Sequence, residues 1–175
     1  MLIAFNKPFG VICKFSPEPG KRTLAEFIKI PNVYPAGRLD TDSEGLLLLT
    51  DDGALLHKII SPRSHVSKRY DVTLDRPLRG DEAKIFASGE LMLEGETKPL
   101  LPVQMEVLST TRACLTLTEG RYHQVRRMFA AVGNHVTALH RDRVGDLTLP
   151  EDLPAGQYRI LGEADLALVL RPPHG

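Results

Sequence analysis

Net charge, long apolar runs, cysteine and internal repeats are all scarce in this 175-residue chain, and each scarcity excludes something. The 22 Lys and Arg residues are cancelled by 22 Asp and Glu. That rules out a histone-like binder living on bulk positive charge, but not nucleic-acid binding through local charge. No run of about eighteen apolar residues occurs, so no membrane span is expected. Met1 to Pro8 has no signal-peptide core and reads as a first strand, which points to a cytoplasmic protein. Cys13 and Cys114 lie far apart, without CxxC or Cys/His spacing, so two buried thiols are expected rather than a disulfide or a metal site. No linker-like segment divides the chain. Residues 1–175 are therefore read as a single domain, with the weakest join, between two lobes if there are two, at 61–67.

What is present is a mixed series of short elements. Residues 2–5 read as a strand and 11–15 as its partner across a Phe9-Gly10 turn. Thr23 with Glu26 three positions on suggests a capped short helix. Leu46 to Leu49, bounded by Gly45 and by Asp51-Asp52-Gly53, read as a buried strand. Residues 54–60, 80–88 (capped near Asp81) and 122–132 suit helices; 69–74, 100–108, 113–118 and 135–140 suit strands. From Pro150 the chain is acidic, with Pro172-Pro173 close to its end. The order lacks a steady βαβα alternation, so the fold class is read as α+β, with a mixed, largely antiparallel sheet flanked by helices.

The zero net charge is a sum of segregated blocks. Segment 119–143 holds five Arg and three His against two acidic residues, and 57–71 holds four Lys and Arg against Asp71. Segment 38–52 holds five acidic residues against Arg38. Two basic segments converging on one face would suit phosphate tracking; scattered solvated charges would give the same counts.

Within the acidic block three chemistries compete. Asp40, Asp42, Glu44 and Gly45 fall at positions 1, 3, 5 and 6 of a calcium loop with Asp51 at its twelfth, yet Pro31, Pro35 and Gly37 occupy the place of the incoming helix. Asp40-Thr41-Asp42 would suit a phosphoaspartate enzyme, but no apolar strand precedes it. A metal-free Asp40 nucleophile on a Gly-flanked loop, kept ionised by an Arg, is the third.

The residues in order go further than composition. Gly37-Arg38-Leu39-Asp40-Thr41-Asp42-Ser43-Glu44-Gly45-Leu46-Leu47-Leu48-Leu49-Thr50-Asp51-Asp52-Gly53 resembles the catalytic motif of the ribosomal-RNA pseudouridine synthases of the RsuA type. Phe5-Asn6-Lys7-Pro8-Phe9-Gly10, Lys68-Arg69-Tyr70-Asp71-Val72 and Glu119-Gly120-Arg121-Tyr122-His123-Gln124-Val125-Arg126-Arg127-Met128 resemble three further segments of that family, in the same order. The resemblance implies the pseudouridine synthase fold, with the cleft across the sheet. It implies an isomerase that turns a uridine of ribosomal RNA into pseudouridine without cofactor or metal. Asp40 would be the nucleophile or charge stabiliser, Tyr70 would lie against the base, and Arg126 would pair with Asp40. Arg38 would stand near the displaced base and Leu139 would wall the uracil. Lys68, Arg69, Arg121, Arg127 and Arg141 would contact phosphates, offsetting base flipping at roughly a few kcal/mol, while His123 and Gln124 would touch RNA. The partner is ribosomal RNA or an assembling subunit, and the protein is expected to be a monomer. The start at the catalytic strand suggests no separate amino-terminal RNA-binding domain and, with it, large-subunit RNA as target. The alternatives are small-subunit (16S) RNA, or a catalytically silent RNA-binding assembly module.

Overall fold

A computed structural model describes residues 1–172. The chain opens with β1 (Leu2–Lys7), then β2 (Val11–Ile12), which pairs in parallel with β3 (Arg22–Thr23) as a small separate ribbon. β4 (Tyr34–Pro35) leads through loop 36–43 into β5 (Glu44–Thr50). After α1 (Gly53–Ile60) come β6 (Lys68–Leu74), α2 (Glu82–Ala87), and the hairpin of β7 (Gln104–Ser109) and β8 (Arg112–Leu117). α3 (Gln124–Ala131), β9 (Val136–Val144), β10 (Leu147–Thr148), β11 (Tyr158–Leu161) and α4 (Glu163–Val169) complete it. One sheet runs through the molecule in the order β11-β1-β5-β9-β6-β8-β7, with β4 and β10 attached to β5 and β9. Its pairings are antiparallel except for β5 with β9, where Glu44 faces His140 and Gly45 faces Arg141. The α+β, largely antiparallel reading therefore holds.

The four leucines are consecutive because β5 is covered on both faces. Leu46 and Leu48 pack with Leu2, Ala4, Ile59 of α1 and Val169 of α4. Leu47 and Leu49 point the other way, onto Ile3, Phe5, Leu24 and Val33. The β6-β8-β7 half has one apolar face only. There Val72, Leu115 and Leu139 meet Val125, Met128 and Phe129 of α3. Its other face is polar: Arg69 holds Asp142 and Arg112 holds Asp71, as the period of two in a half-buried strand requires.

Several local expectations are corrected. β2 pairs with β3 because both edges of β1 are taken by β5 and β11. Thr23 makes no side-chain cap; it precedes a 3-10 turn, Leu24–Glu26, and Glu26 is bound by Arg22 instead. Asp81 does not cap α2. The buried Glu82 accepts the Arg79 and Gly80 N–H groups in its place. The strand expected from 100 begins at Gln104, after Pro99 and Pro102, which cannot donate to a ladder. Cys13 is buried but Cys114 is only half-buried, on the polar face; burial raises the pKa of both thiols. The acidic tail carries β11 and α4.

Gly45 sits where the chain turns from the loop into β5. Its φ is +110°, and a Cβ there would collide with the backbone of Arg141. Gly45→Ala is thus expected to cost about 3 kcal/mol, lowering Tm by about 10 °C in a thermal melt. Gly53→Ala, with no neighbour within 4 Å, should leave Tm unchanged or slightly raised.

Candidate active site

Loop 36–43 has few backbone hydrogen bonds of its own; three cations hold it. Lys7, fully buried at the end of β1, donates its ammonium to the carbonyls of Ser43 (2.7 Å), Pro8 (3.0 Å) and Thr41 (3.4 Å). Burial pushes its pKa down to about 8, against the opposing pull of Asp42 and Asp40. Arg141, also buried, donates Nε to the Leu46 carbonyl at 2.8 Å and Nη1 to that of Arg38 at 3.5 Å. Arg126 donates Nη2 to the Asp42 carbonyl (3.2 Å) and Ser43 Oγ (3.3 Å), and pairs with the Asp42 carboxylate at 3.2 Å. The Leu39 side chain is buried beside the loop, while the next residue, Asp40, stays half-exposed on the cleft side.

The cleft is about 1060 Å³ and is lined by Asp40, Tyr70, Arg126, Arg38, Leu139 and Lys68, among others. One Asp40 oxygen lies 3.3 Å from His123 Nε2, and the other 4.0 Å from Arg126 Nε. That Nε is buried and makes no hydrogen bond. A buried donor of this kind calls for a partner, and a shift of about 1 Å would give it the carboxylate, since site hydrogen bonds often tighten only around bound substrate. Tyr70 and Lys68 point into the cleft from alternate positions of β6. Burial pushes Lys68 down to about 8, and Arg141 pushes the same way.

Of the residues expected to meet phosphates, Lys68, Arg121 and Arg141 line this cleft, and all but Lys68 are engaged by the protein's own groups. Arg141 is buried and spent on loop carbonyls. Arg69 is on the opposite face of β6, bidentate to Asp142. Arg127 is held by Glu96 and by the Glu94 and Tyr122 carbonyls. Arg121 is itself braced on Glu119 and on the Lys98 and Pro99 carbonyls. Gln124, buried, accepts from the Arg121 N–H and donates to Glu119, so it stiffens the turn before α3. The sequence reading missed the anchors Lys7, Asp42 and Ser43. A lysine closing an apolar strand, beside a proline, was the available signal for the first.

The calcium-loop reading fails on geometry. Asp40 and Asp51 are separated by the whole of β5, and Asp51 is bound by the amino terminus at 2.9 Å.

Residues 1–131 match the family described as RNA pseudouridylate synthase. The chain is 48% identical over 168 residues to the ribosomal small subunit pseudouridine synthase A of Escherichia coli K12, covering 94% of this chain and 72% of that one. It is 42% identical over 169 residues to the protein of the same name from Haemophilus influenzae, covering 95% and 72%. A crystal structure of a pseudouridylate synthase superposes with a TM-score of 0.90 at 42% identity, over 96% of this chain and 73% of that one. The human RNA pseudouridylate synthase domain containing 1 shares the fold alone, with a TM-score of 0.62 at 16% identity, over 99% and 93% of the two chains.

The anchoring of the loop gives a pH-dependent outcome. Lys7→Met strands three carbonyls and should cost about 2–4 kcal/mol near neutral pH. Between pH 8 and 10.5 the folded chain has released the Lys7 proton while the unfolded chain still holds it. Wild-type stability should therefore rise relative to the variant across that window. Urea titrations at about pH 7.5 and about pH 9.5 check this; a constant difference between the two proteins would refute it.

Proposed function

The chain belongs to the RNA pseudouridylate synthase family, and from that premise we propose that it converts a specific uridine of small-subunit (16S) ribosomal RNA to pseudouridine. Relatives 42–48% identical over nearly the whole chain are named for the small subunit. Those names favour the small-subunit alternative over the large-subunit expectation, which had rested on where the chain starts and on the likeness of residues 1–53.

The observation that carries the catalytic reading is the Asp40 carboxylate, presented into the cleft between His123 and Arg126. The reaction is an isomerisation. The N1–C1′ bond breaks, the uracil turns, a C5–C1′ bond forms, the C5 proton leaves and N1 is protonated. Asp40 meets the electron-poor centre as the glycosidic bond breaks, and Arg126 beside it orients the carboxylate once the two close into contact. Tyr70 and Leu139 supply the flat and apolar walls for the flipped base, and Arg38 stands at the mouth. A silent assembly module would have no use for Asp40, Tyr70 and Arg126 in one cleft. Residues 1–175 act on this reading as one catalytic domain, monomeric and cytoplasmic, on ribosomal RNA or an assembling subunit. No described helix is long and apolar enough to cross a membrane.

Asp40→Ala is expected to lower pseudouridine formation on a small-subunit RNA transcript by at least about a thousandfold. Its Tm and RNA affinity should stay near wild type, because a half-exposed loop carboxylate adds little packing. Pseudouridine mapping of both ribosomal RNAs with and without the gene names the target; a mark lost from the large subunit alone would overturn the subunit assignment. Lys68, charged below about pH 8, should make RNA affinity fall severalfold as pH rises through that value. Lys68→Arg should flatten the fall. Filter binding at constant salt reads both, and an equally steep fall in the variant would remove Lys68 from the interface.

A further inference from the structure

The segment before α3 holds a feature that neither the loop anchors nor the reaction uses. Tyr122 is the most exposed of the large apolar side chains, at 76%, yet it lines the catalytic cleft. Its ring lies flat on that of the next residue, His123, with centroids 3.9 Å apart and planes 19° from parallel. Side chains of successive residues normally diverge. Here they align, with His123 in the left-handed conformation, φ +48°, which is uncommon outside glycine.

The turn is also rigidly built. The Tyr122 carbonyl accepts from Arg127 Nη1 at 3.0 Å, and Arg127 is itself fixed by Glu96. The Arg121 N–H is held by the Gln124 side chain, and the Arg121 guanidinium by the Lys98 and Pro99 carbonyls. One face of an aromatic ring is thus covered by His123, and the ring is presented to solvent by a braced backbone. Little conformational freedom remains to be lost when something stacks on it.

His123 also fixes where that face lies. Its Nε2 is 3.3 Å from Asp40, so the imidazole meets the carboxylate at its edge while its face carries the Tyr122 ring. A uridine whose glycosidic bond meets Asp40 leaves the open face of Tyr122 to a neighbouring nucleotide. Extruding one base leaves the adjacent base without a stacking partner, and an exposed aromatic ring supplies one at low sequence cost. We propose that the open face of Tyr122 stacks on the nucleobase adjacent to the target uridine, holding the RNA with the uridine flipped. This rests on the pseudouridylation reading above.

The test uses the full chain. Wild-type enzyme on a small-subunit RNA transcript maps the modified uridine. Oligoribonucleotides spanning it then carry 2-aminopurine on the 5′ or the 3′ side. Quenching at one flank is expected with wild type and lost in Tyr122→Ala, whose Kd and KM should rise about 10- to 100-fold. Tyr122→Phe and Tyr122→Trp should keep the quench and bind within about threefold of wild type, since stacking needs the ring and not the hydroxyl. A Tyr122→Ala that binds like wild type, a Tyr122→Phe as weak as Tyr122→Ala, or quenching at neither flank would each overturn the proposal. A wild-type enzyme that makes no pseudouridine sinks the parent reading and this one with it. An active wild type with a silent Tyr122→Ala sinks the stacking alone.

Discussion

The buried ammonium of Lys7 is the interaction on which the site depends. A loop that must leave the sheet, expose one carboxylate and re-enter the sheet cannot satisfy its carbonyls with neighbouring strands. Backbone N–H groups are fixed in direction by their own peptides, whereas a lysine has three donors on a flexible stem. Lys7 reaches the carbonyls of Thr41 and Ser43, just after Asp40, and that of its own neighbour Pro8, with no carboxylate as direct partner. The cost is desolvation of a cation, visible in its pKa near 8. Arg141 and Arg126 fasten the same loop from β9 and α3, so elements far apart in sequence fix one aspartate.

The β5–β9 junction explains why the cleft lies where it does. It is the one parallel pairing in an otherwise antiparallel large sheet, and it covers only Glu44–Gly45 against His140–Arg141. Beyond it the strands part, and the apolar layers on either side are separate clusters. The gap is floored by Leu39 and Leu139 and edged by Asp40, Lys68 and Tyr70. Gly45 is required at the junction because the backbone of Arg141 occupies the space of a side chain. The same Arg141 then turns its guanidinium onto the carbonyls of Leu46 and Arg38.

Much of this was legible in order along the chain. The leucine run announced a buried strand, and the helix expected over 122–132 is α3, buried through Val125, Met128 and Phe129. The motif segments placed Asp40, Tyr70 and Arg126 together. What charge counts could not show was direction. Arg69 and Arg127 belong to basic segments, yet one points away from the cleft and the other is consumed by Glu96. Strand alternation alone would have separated Lys68 and Tyr70 from Arg69. β11 and α4 were missed because the tail was read by its acidic charge, although residues 158–170 are largely apolar; in the first turn of α4 Asp165 accepts the Gly162 N–H, and the helix closes with Val169 buried against β5's leucines.

The zero net charge acquires a meaning from where the cations of the cleft are bound. Among the described cations lining the cleft, Arg121, Arg126 and Arg141 are bound to carbonyls or carboxylates of the protein itself, and only Arg38 and Lys68 have side chains without a hydrogen-bond or ion-pair partner. Counterion release scales with the phosphates neutralised, so two free cations supply a shallow, weakly salt-dependent attraction. On the proposed function, recognition must then come from the shape of the cleft, from the walls around a flipped base and from stacking at its rim. Those contacts exist only where the RNA can release a uridine. On that reading, a cleft that spends Arg126 and Arg141 on holding its own loop gives up indiscriminate affinity for an aspartate held in place before the substrate arrives.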